Sequence, residues 1–221
     1  MLAGAATLAA SMAFGRIAGL AACGPSGGAG PVIAFELVRT AEQVLALFGS
    51  EPCTSRLIAA QREALWLDML VFIPAYTAFL SLGAFALRRS GLALALAAMG
   101  VFLLAGAFDE IEGLVLFKIL GAMPGTQAYY DALFWTVRPK FALLGVGEIL
   151  LAALLWRGPL PAKIASGLML AGGLASLFFL LNDPHAPAMM KAHSYGWGAL
   201  LIVALIGAAR PALAMRAAPG A

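Results

Sequence analysis

The residues of this chain that could do chemistry are a few charged side chains set among long apolar stretches. Asp109 and Glu112 lie three residues apart and therefore share one face of a helix. Counted at about 1.5 Å of helical rise per residue from the nearest charged turn, Asp68 reaches a similar depth. We expect these carboxylates to approach one another, with Arg138 or Lys140 close enough to pair with them. The full candidate cluster comprises Asp68, Asp109, Glu110, Glu112, Arg138, Lys140, His185 and His193.

This polar cluster has a functional and a structural interpretation. In the first, it binds a metal ion, a polar headgroup, a proton in transit or a partner subunit, because ionisable groups near membrane spans are costly. In the second, the carboxylates pair with Arg138, Lys140 and Lys118 and fix the helices against one another. Carboxylate and imidazole groups can bind metals. Since no HExxH-like spacing occurs, we predict no metal site.

Two further ionisable residues are predicted inside the membrane. Glu148 lies eight residues before Trp156, hence roughly 12 Å into the hydrocarbon, where its carboxyl group should be protonated or paired. Arg16 interrupts the first apolar run, and Gly15 and Gly19 beside it form a GxxxG pattern typical of close helix contacts. A contact between Arg16 and a carboxylate is one alternative. In the other, Arg16 reaches the headgroups and Glu148 bonds a neighbouring Ser, Thr or Tyr.

The two cysteines have competing interpretations. The sequence LAACG ending at Gly24 looks like a bacterial lipobox, in which Cys23 is lipidated and residues 1–22 are removed. Against this, no Lys or Arg precedes the apolar run and Arg16 interrupts it. A disulfide between Cys23 and Cys53 is the second alternative, because both lie in one predicted outer loop. Two free thiols are the third.

The elements that position these residues follow from composition. Hydrophobic residues make up 62% of the 221 residues and charged residues only 11%, and the mean hydropathy is +0.94. A soluble domain carries roughly 25% charged residues and could not cover so much apolar surface. Because a span needs about 20 residues, the chain predicts a single all-α membrane domain over residues 1–221. We expect about six spans, or five if residues 1–22 are cleaved.

The predicted elements alternate between apolar runs and polar breaks. Residues 1–22 form the first run, and residues 32–48 carry charges among apolar residues, a pattern typical of one amphipathic helix lying flat on the membrane. Residues 121–138 are predicted to form a loop. The later predicted spans are 64–87, 91–117, 139–156, 164–181 and 195–209. Three prolines are predicted to mark helix ends: Pro139, Pro161 and Pro211.

Basic residues predict the orientation of the bundle. Positive charge accumulates on the cytoplasmic side of membrane proteins. The turns and tail assigned to that side carry Arg88, Arg89, Arg157, Lys163, Arg210 and Arg216. The outer loops are then 23–63, 118–138 and 182–194. We therefore expect a multi-pass protein of the bacterial inner membrane with a cytoplasmic carboxyl terminus.

Other motif searches predict neither a cofactor nor a reaction. The sequence has no P-loop, no CxxC and no nucleophile with a recognisable base. Aromatic residues such as Tyr76 and Trp197 mostly fall near span ends, as in an aromatic belt. The expected partners are the lipid bilayer and either another membrane protein or a second copy of this chain. The net charge of +3 comes from span ends, so we expect no nucleic-acid partner.

Three segments of the chain resemble a family of small, uncharacterised bacterial multi-pass membrane proteins. They are PVIAFELVRTAEQ (31–43), LWLDMLVFIPAY (65–76) and FDEIEG (108–113). In that family an acidic pair in the third span is often followed by Asn, whereas this chain has Gly113. The resemblance covers roughly the first half of the chain and implies no known activity.

Three function classes follow from these features. A non-catalytic membrane component would bind a partner subunit, a lipid or a small ligand through the outer cluster. A membrane enzyme would act on a lipid-like substrate with Asp109, Glu112 or Asp68 as acid and base. A proton-coupled transporter is the third class. We expect the first, while the sequence identifies neither substrate nor cofactor.

Overall fold

Long apolar segments run through most of this chain, and the computed structural model, which describes residues 1–210, is all-α. This part of the chain is 81% helical and has no strand. The helices are α1 (Leu2–Phe14), α2 (Gly30–Glu36), α3 (Ala41–Phe48), α4 (Cys53–Leu67), α5 (Ile73–Ala86), α6 (Leu92–Gly121), α7 (Gln127–Leu155), α8 (Leu160–Asn182) and α9 (Pro187–Ala209). A π-helical segment, Asp68–Phe72, joins α4 to α5, and a 3-10 turn, Arg88–Ser90, follows α5.

Four helical segments are long and apolar enough to cross a membrane, which makes this a membrane-embedded protein. They are Cys53–Ala86, Leu92–Gly121, Leu160–Asn182 and Pro187–Ala209. Helix α7 is of similar length but carries four charged residues, Asp131, Arg138, Lys140 and Glu148. It lies between α6 and α8, and α9 returns to contact α5, so the long helices enclose a common interior.

The structure does not confirm six spans, and the expected first span differs most. Helix α1 has 13 residues, which is about 20 Å of helix and too short to cross roughly 30 Å of hydrocarbon. It ends at Phe14, before Arg16, and packs against α5. The apolar run 1–22 is therefore only partly helical.

The single amphipathic helix expected over 32–48 is instead two short helices. Helix α2 ends at Glu36, and Thr40 begins α3 by accepting a hydrogen bond from the Gln43 backbone N–H. In return, the Gln43 side chain accepts a hydrogen bond from the Arg39 backbone N–H. This reciprocal cap satisfies donors that would otherwise be unpaired at a helix start. Both helices bury apolar side chains against the bundle, including Phe35 and Phe48.

The proline predictions had mixed outcomes. Pro161 lies in the first turn of α8 as expected, whereas Pro139 lies inside α7, which begins twelve residues earlier at Gln127. Most of the predicted loop 121–138 is thus helical, because its apolar and aromatic residues pack in the bundle, as buried Tyr130 and Leu133 do. Pro211 and Arg216 lie outside the described residues.

Candidate functional site

The interior of the bundle contains two clusters of buried ionisable side chains. The lysine cluster consists of Lys140 with Glu36, Asp109 and Glu112, and the glutamate–histidine pair consists of Glu148 and His193. Both lie among side chains that are almost fully shielded from solvent, since Lys140 is 3% exposed and Glu148 is 0% exposed. Ionisable groups placed this way are costly in a membrane protein and mark functional sites.

Lys140 is the centre of the lysine cluster. Its Nζ atom lies 2.9 Å from Glu36 Oε2, 3.0 Å from Asp109 Oδ1 and 2.8 Å from Glu112 Oε2. Asp109 and Glu112 occupy one face of α6 through their three-residue spacing, and Glu36 comes from the last residue of α2. The lysine therefore ties α2, α6 and α7 together.

The charges of the lysine cluster do not balance. Three carboxylates share one ammonium group, so the fully ionised cluster would carry two uncompensated negative charges. In residues 1–210, Arg39 and Arg138 form no ion pair with any of them. Burial raises the pKa of Glu36 above its usual range, and the neighbouring Lys140 only opposes that shift. Because uncompensated buried charge is very costly, this arrangement favours a cluster that holds protons.

Tyr76 connects the lysine cluster to the centre of the bundle. Its hydroxyl group donates a 2.7 Å hydrogen bond to Asp109 Oδ2, and its ring stacks on Trp197 with a centroid distance of 5.3 Å. On the other side, Phe141 lies between Lys140 Nζ, 4.6 Å from its centroid, and the His193 ring, 6.3 Å from it. The aromatic rings therefore form a layer that separates the two clusters.

The glutamate–histidine pair lies below this layer. Glu148 Oε1 is 2.6 Å from His193 Nδ1 and accepts a 2.5 Å hydrogen bond from Trp197 Nε1. Glu148 Oε2 and His193 Nε2 are buried and have no partner within the described chain. Gly172 of α8 makes room for the pair, because a Cβ atom there would lie 2.9 Å from Glu148 Oε2 and 2.9 Å from the Ala192 carbonyl oxygen.

The two clusters lie at different depths. Lys140 and Glu148 are eight residues apart on α7, which is about 12 Å of helical rise. The lysine cluster faces α2 and α3, so we call this end of the bundle the α2–α3 end. An acid–base group near one end and a second one deeper inside could exchange protons only through the aromatic layer between them.

The remaining residues predicted for the cluster lie close to it or elsewhere. Asp68 is half-buried in the π-helical segment and forms no ion pair within the described residues. Glu110 is half-buried and likewise unpaired. Arg138 or Lys140 was expected to pair with the carboxylates: Lys140 does, whereas the guanidinium group of Arg138 lies over the Phe134 ring. Arg138 is two residues from Lys140, and this spacing turns the two side chains to different faces of α7.

Both histidines and Arg16 also differ from expectation. His193 lies inside α9 and is 2% exposed, rather than in an outer loop beside His185. Helix α9 begins at Pro187, eight residues before the predicted span, and this carries His193 into the bundle. Arg16 lies beyond the end of α1, is exposed and makes none of the carboxylate contacts considered for it.

The two cysteines form a disulfide. The Cα atoms of Cys23 and Cys53 are 5.9 Å apart, and the bond joins the loop after α1 to the start of α4. It lies at the α2–α3 end, where Cys23 also donates a backbone hydrogen bond to the Leu47 carbonyl oxygen. A bonded Cys23 has no thiol available for the lipid attachment that the LAACG sequence suggested.

A cavity of about 500 Å³ opens at the same end of the bundle. His185 lines it together with Asp183, Ser26 and Gln43, while apolar side chains such as Leu47 form the rest of the wall. The cavity is lined by none of the lysine-cluster residues. It is therefore a separate feature from the acid–base network.

Sequence reasoning missed three residues of the network. Glu36 was assigned to a helix on the membrane surface, because a carboxylate among apolar residues is typical of an interfacial helix and no local signal marks it as buried. Tyr76 and Trp197 were assigned to an aromatic belt. Their hydrogen bonds to Asp109 and Glu148 depend on contacts between helices that no local pattern encodes.

Comparisons of this chain with protein-family models, with characterised proteins and with solved structures find no match. What the protein does must therefore be inferred from the clusters themselves.

Proposed function

We propose that this chain is a non-catalytic, proton-coupled membrane protein that binds and releases protons through the lysine cluster and the glutamate–histidine pair. One observation carries the proposal: three buried carboxylates share a single lysine. Gain or loss of a proton changes the net charge of this closed site. It therefore changes the attraction that holds α2 against α6 and α7.

Proton binding at these residues would act on the conformation of the bundle. The Tyr76 hydroxyl group is hydrogen-bonded to Asp109, so its position depends on the charge of that carboxyl group. The Tyr76 ring stacks on Trp197, whose indole N–H donates to Glu148. A shift of either aromatic side chain would alter the separation between the two clusters. Two packed arrangements that differ in protonation are the kind of bistable element that couples one binding event to another.

The geometry gives less support to an enzyme. A general acid or base must come within hydrogen-bond distance of its substrate. Asp109 and Glu112 are 7% and 1% exposed and are occupied by Lys140. The 500 Å³ cavity does not reach them.

We also propose that the α2–α3 end faces the outside of a bacterial inner membrane and that the carboxyl terminus is cytoplasmic. The Cys23–Cys53 disulfide supports this orientation, because disulfides persist in oxidising compartments. Arg88, Arg89 and Arg157 lie at the opposite end, as positive charges on the cytoplasmic side do. An impermeant thiol reagent added from outside should not label a cysteine introduced at residue 89. Labelling at that residue would show that the orientation is the opposite of the one proposed.

The fluorescence of Trp197 tests the proton-binding proposal. The chain has four tryptophans, so replacing Trp66, Trp135 and Trp156 by Phe leaves Trp197 as the sole emitter. Because its indole N–H donates to Glu148, its emission should change when the glutamate–histidine pair gains or loses a proton. We expect a pH-dependent transition in detergent that the double change Glu148→Gln and His193→Gln abolishes, because both members of the pair lie beside Trp197.

A matched control for this titration is Glu110→Gln. Glu110 is a half-buried carboxylate without a hydrogen-bond partner in the described residues, so its replacement should leave the emission transition in place. Emission that is independent of pH, or a transition that both variants abolish equally, would contradict the proposal.

A second candidate function is the ligand-binding component expected from the sequence. The cavity at the α2–α3 end supports it, since a few polar residues, Ser26, Gln43, Asp183 and His185, line it beside apolar side chains. Native mass spectrometry of gently extracted protein should then show a retained molecule that Gln43→Ala and His185→Ala release. A bare chain, or an adduct unaffected by either change, would count against this function.

A further inference from the structure

Two arginines meet at the α2–α3 end and form no ion pair with an acidic residue among residues 1–210. The Arg39 Cζ atom lies 5.0 Å from the centroid of the Phe134 ring, and the Arg138 Cζ atom lies 4.7 Å from it. The two Cζ atoms therefore lie at most about 10 Å apart. Contacts of this kind between a cation and an aromatic ring hold each charge in place.

Local structure fixes both side chains. Arg39 lies between α2 and α3, its backbone N–H donates to Gln43, and its Nη1 atom donates to the Val38 carbonyl oxygen 3.0 Å away. Arg138 projects from α7 one turn after Phe134. The two arginines thus come from separate elements and converge on one ring.

Each arginine retains a buried donor without an acceptor. Arg39 Nη2 and Arg138 Nε are shielded from solvent and have no hydrogen-bond partner within residues 1–210. Burial and the neighbouring charge of Arg138 lower the pKa of Arg39, while Glu112 opposes this shift. Glu112 itself is bound to Lys140, so it cannot neutralise the arginines by direct contact.

Both arginines are only partly buried, so an anion with several oxygen atoms could approach the accessible side of the two guanidinium groups and compensate their charges. Guanidinium groups bind phosphate through paired, charge-assisted hydrogen bonds, and basic pockets near a membrane boundary bind lipid headgroups. The α2–α3 end also lies at the right height. About 20 residues of α7 before its end at Leu155 cross the hydrocarbon, so Arg138 falls near the boundary where lipid phosphates lie.

We propose that Arg39, Arg138 and Phe134 form a binding site for a phosphate group, carried by a membrane lipid or by free phosphate. The site is independent of the proton-binding proposal, because neither arginine belongs to the lysine cluster or to the glutamate–histidine pair. Its occupation would fix the junction of α2 and α3 against α7.

Two probes distinguish the sources of the phosphate group. In the first arm, purified protein is titrated with phosphatidylglycerol and the retained lipid is counted by native mass spectrometry. In the second arm, inorganic phosphate is added in detergent and the unfolding temperature is measured against chloride at equal ionic strength. We expect Arg39→Gln and Arg138→Gln each to weaken the affinity for the true source by at least about tenfold.

Arg56→Gln is the matched control, because Arg56 is exposed at the same end of the bundle and its loss changes the net charge equally. It should leave both arms unchanged. Arg39→Lys and Arg138→Lys keep the charge without the paired donors, so they test the site if a Gln variant fails to fold. Each should still lose most of the affinity.

The outcomes separate cleanly. Loss of lipid alone assigns the site to a headgroup, and loss of phosphate-dependent stabilisation alone assigns it to free phosphate. Wild-type behaviour of the arginine variants in both arms would overturn the proposal. Equal losses in Arg56→Gln would also overturn it, since they would reflect net charge alone.

Discussion

Lys140→Gln should destabilise the protein strongly at neutral pH and weakly in acid. Lys140 holds three buried carboxylates at 2.8 to 3.0 Å, and removing one partner of a buried ion pair costs about 3–5 kcal/mol. At about 2–4 °C per kcal/mol for a chain of this size, the unfolding midpoint should fall by roughly 6–20 °C. Thermal unfolding in detergent, followed by circular dichroism across a pH series, measures this loss.

The pH dependence follows from Glu36. Burial raises the pKa of Glu36 above its ordinary 4.5, so its contribution to stability is fully present below about that pH. This contribution is lost as the pH rises through the folded-state pKa. In the wild type, the positive charge of Lys140 limits this loss of stability. Its replacement removes that limit, and the gap between variant and wild type should therefore widen as the pH rises.

Arg56→Gln is the matched control, because it removes the same charge from an exposed residue that forms no ion pair within residues 1–210. Its effect on the unfolding midpoint should be smaller and nearly independent of pH. The reasoning fails if Lys140→Gln is equally destabilising at every pH, or if Arg56→Gln matches it.

Three further changes should give distinct results. Glu36→Gln should flatten the pH dependence of the unfolding midpoint above about 4.5, because the titrating group is removed; an unchanged slope would argue against burial of this carboxyl group. Gly172→Ala should lower the free energy of unfolding by about 1–3 kcal/mol, because its Cβ would collide with Glu148 and Ala192. Gly167→Ala, with open space at its Cβ, should be neutral or stabilising, and the reverse order would refute the packing. Tyr76→Phe should cost about 1.5–3 kcal/mol by removing the donor to Asp109, and a neutral effect would show that this hydrogen bond contributes nothing.

The sequence was sufficient to predict the all-α membrane fold, because the composition alone excludes a water-soluble domain. It also predicted that Asp109 and Glu112 share a helix face, since a three-residue spacing dictates this in any helix. The placement of Lys140 at their depth follows from the same helical geometry. These predictions depend on local periodicity, which the sequence displays directly.

The parts that could not be predicted depend on how helices pack. Which of Arg138 and Lys140 pairs with the buried carboxylates depends on the rotation of α7 about its axis. Pro139, which lies between them, wrongly suggested that a helix starts there. Likewise, the pairing of Glu148 with His193 requires α7 and α9 to approach across Gly172. No spacing within one segment specifies such a contact.

The short elements at the α2–α3 end were hardest to predict. Residues 32–48 carry charges on an apolar background, and that pattern is typical of a surface helix. Glu36 is instead buried because Lys140, 104 residues away, supplies its partner. The burial of a charged side chain can be predicted only when its partner is known.

Infrared spectroscopy of the carboxyl groups tests the central claim most directly. A protonated carboxylic acid in the lysine cluster should give a carbonyl band at neutral pH that shifts in heavy water and weakens in Glu112→Gln and Glu36→Gln, but not in Glu110→Gln. The absence of such a band at neutral pH, with all three carboxylates of the cluster ionised, would contradict the account.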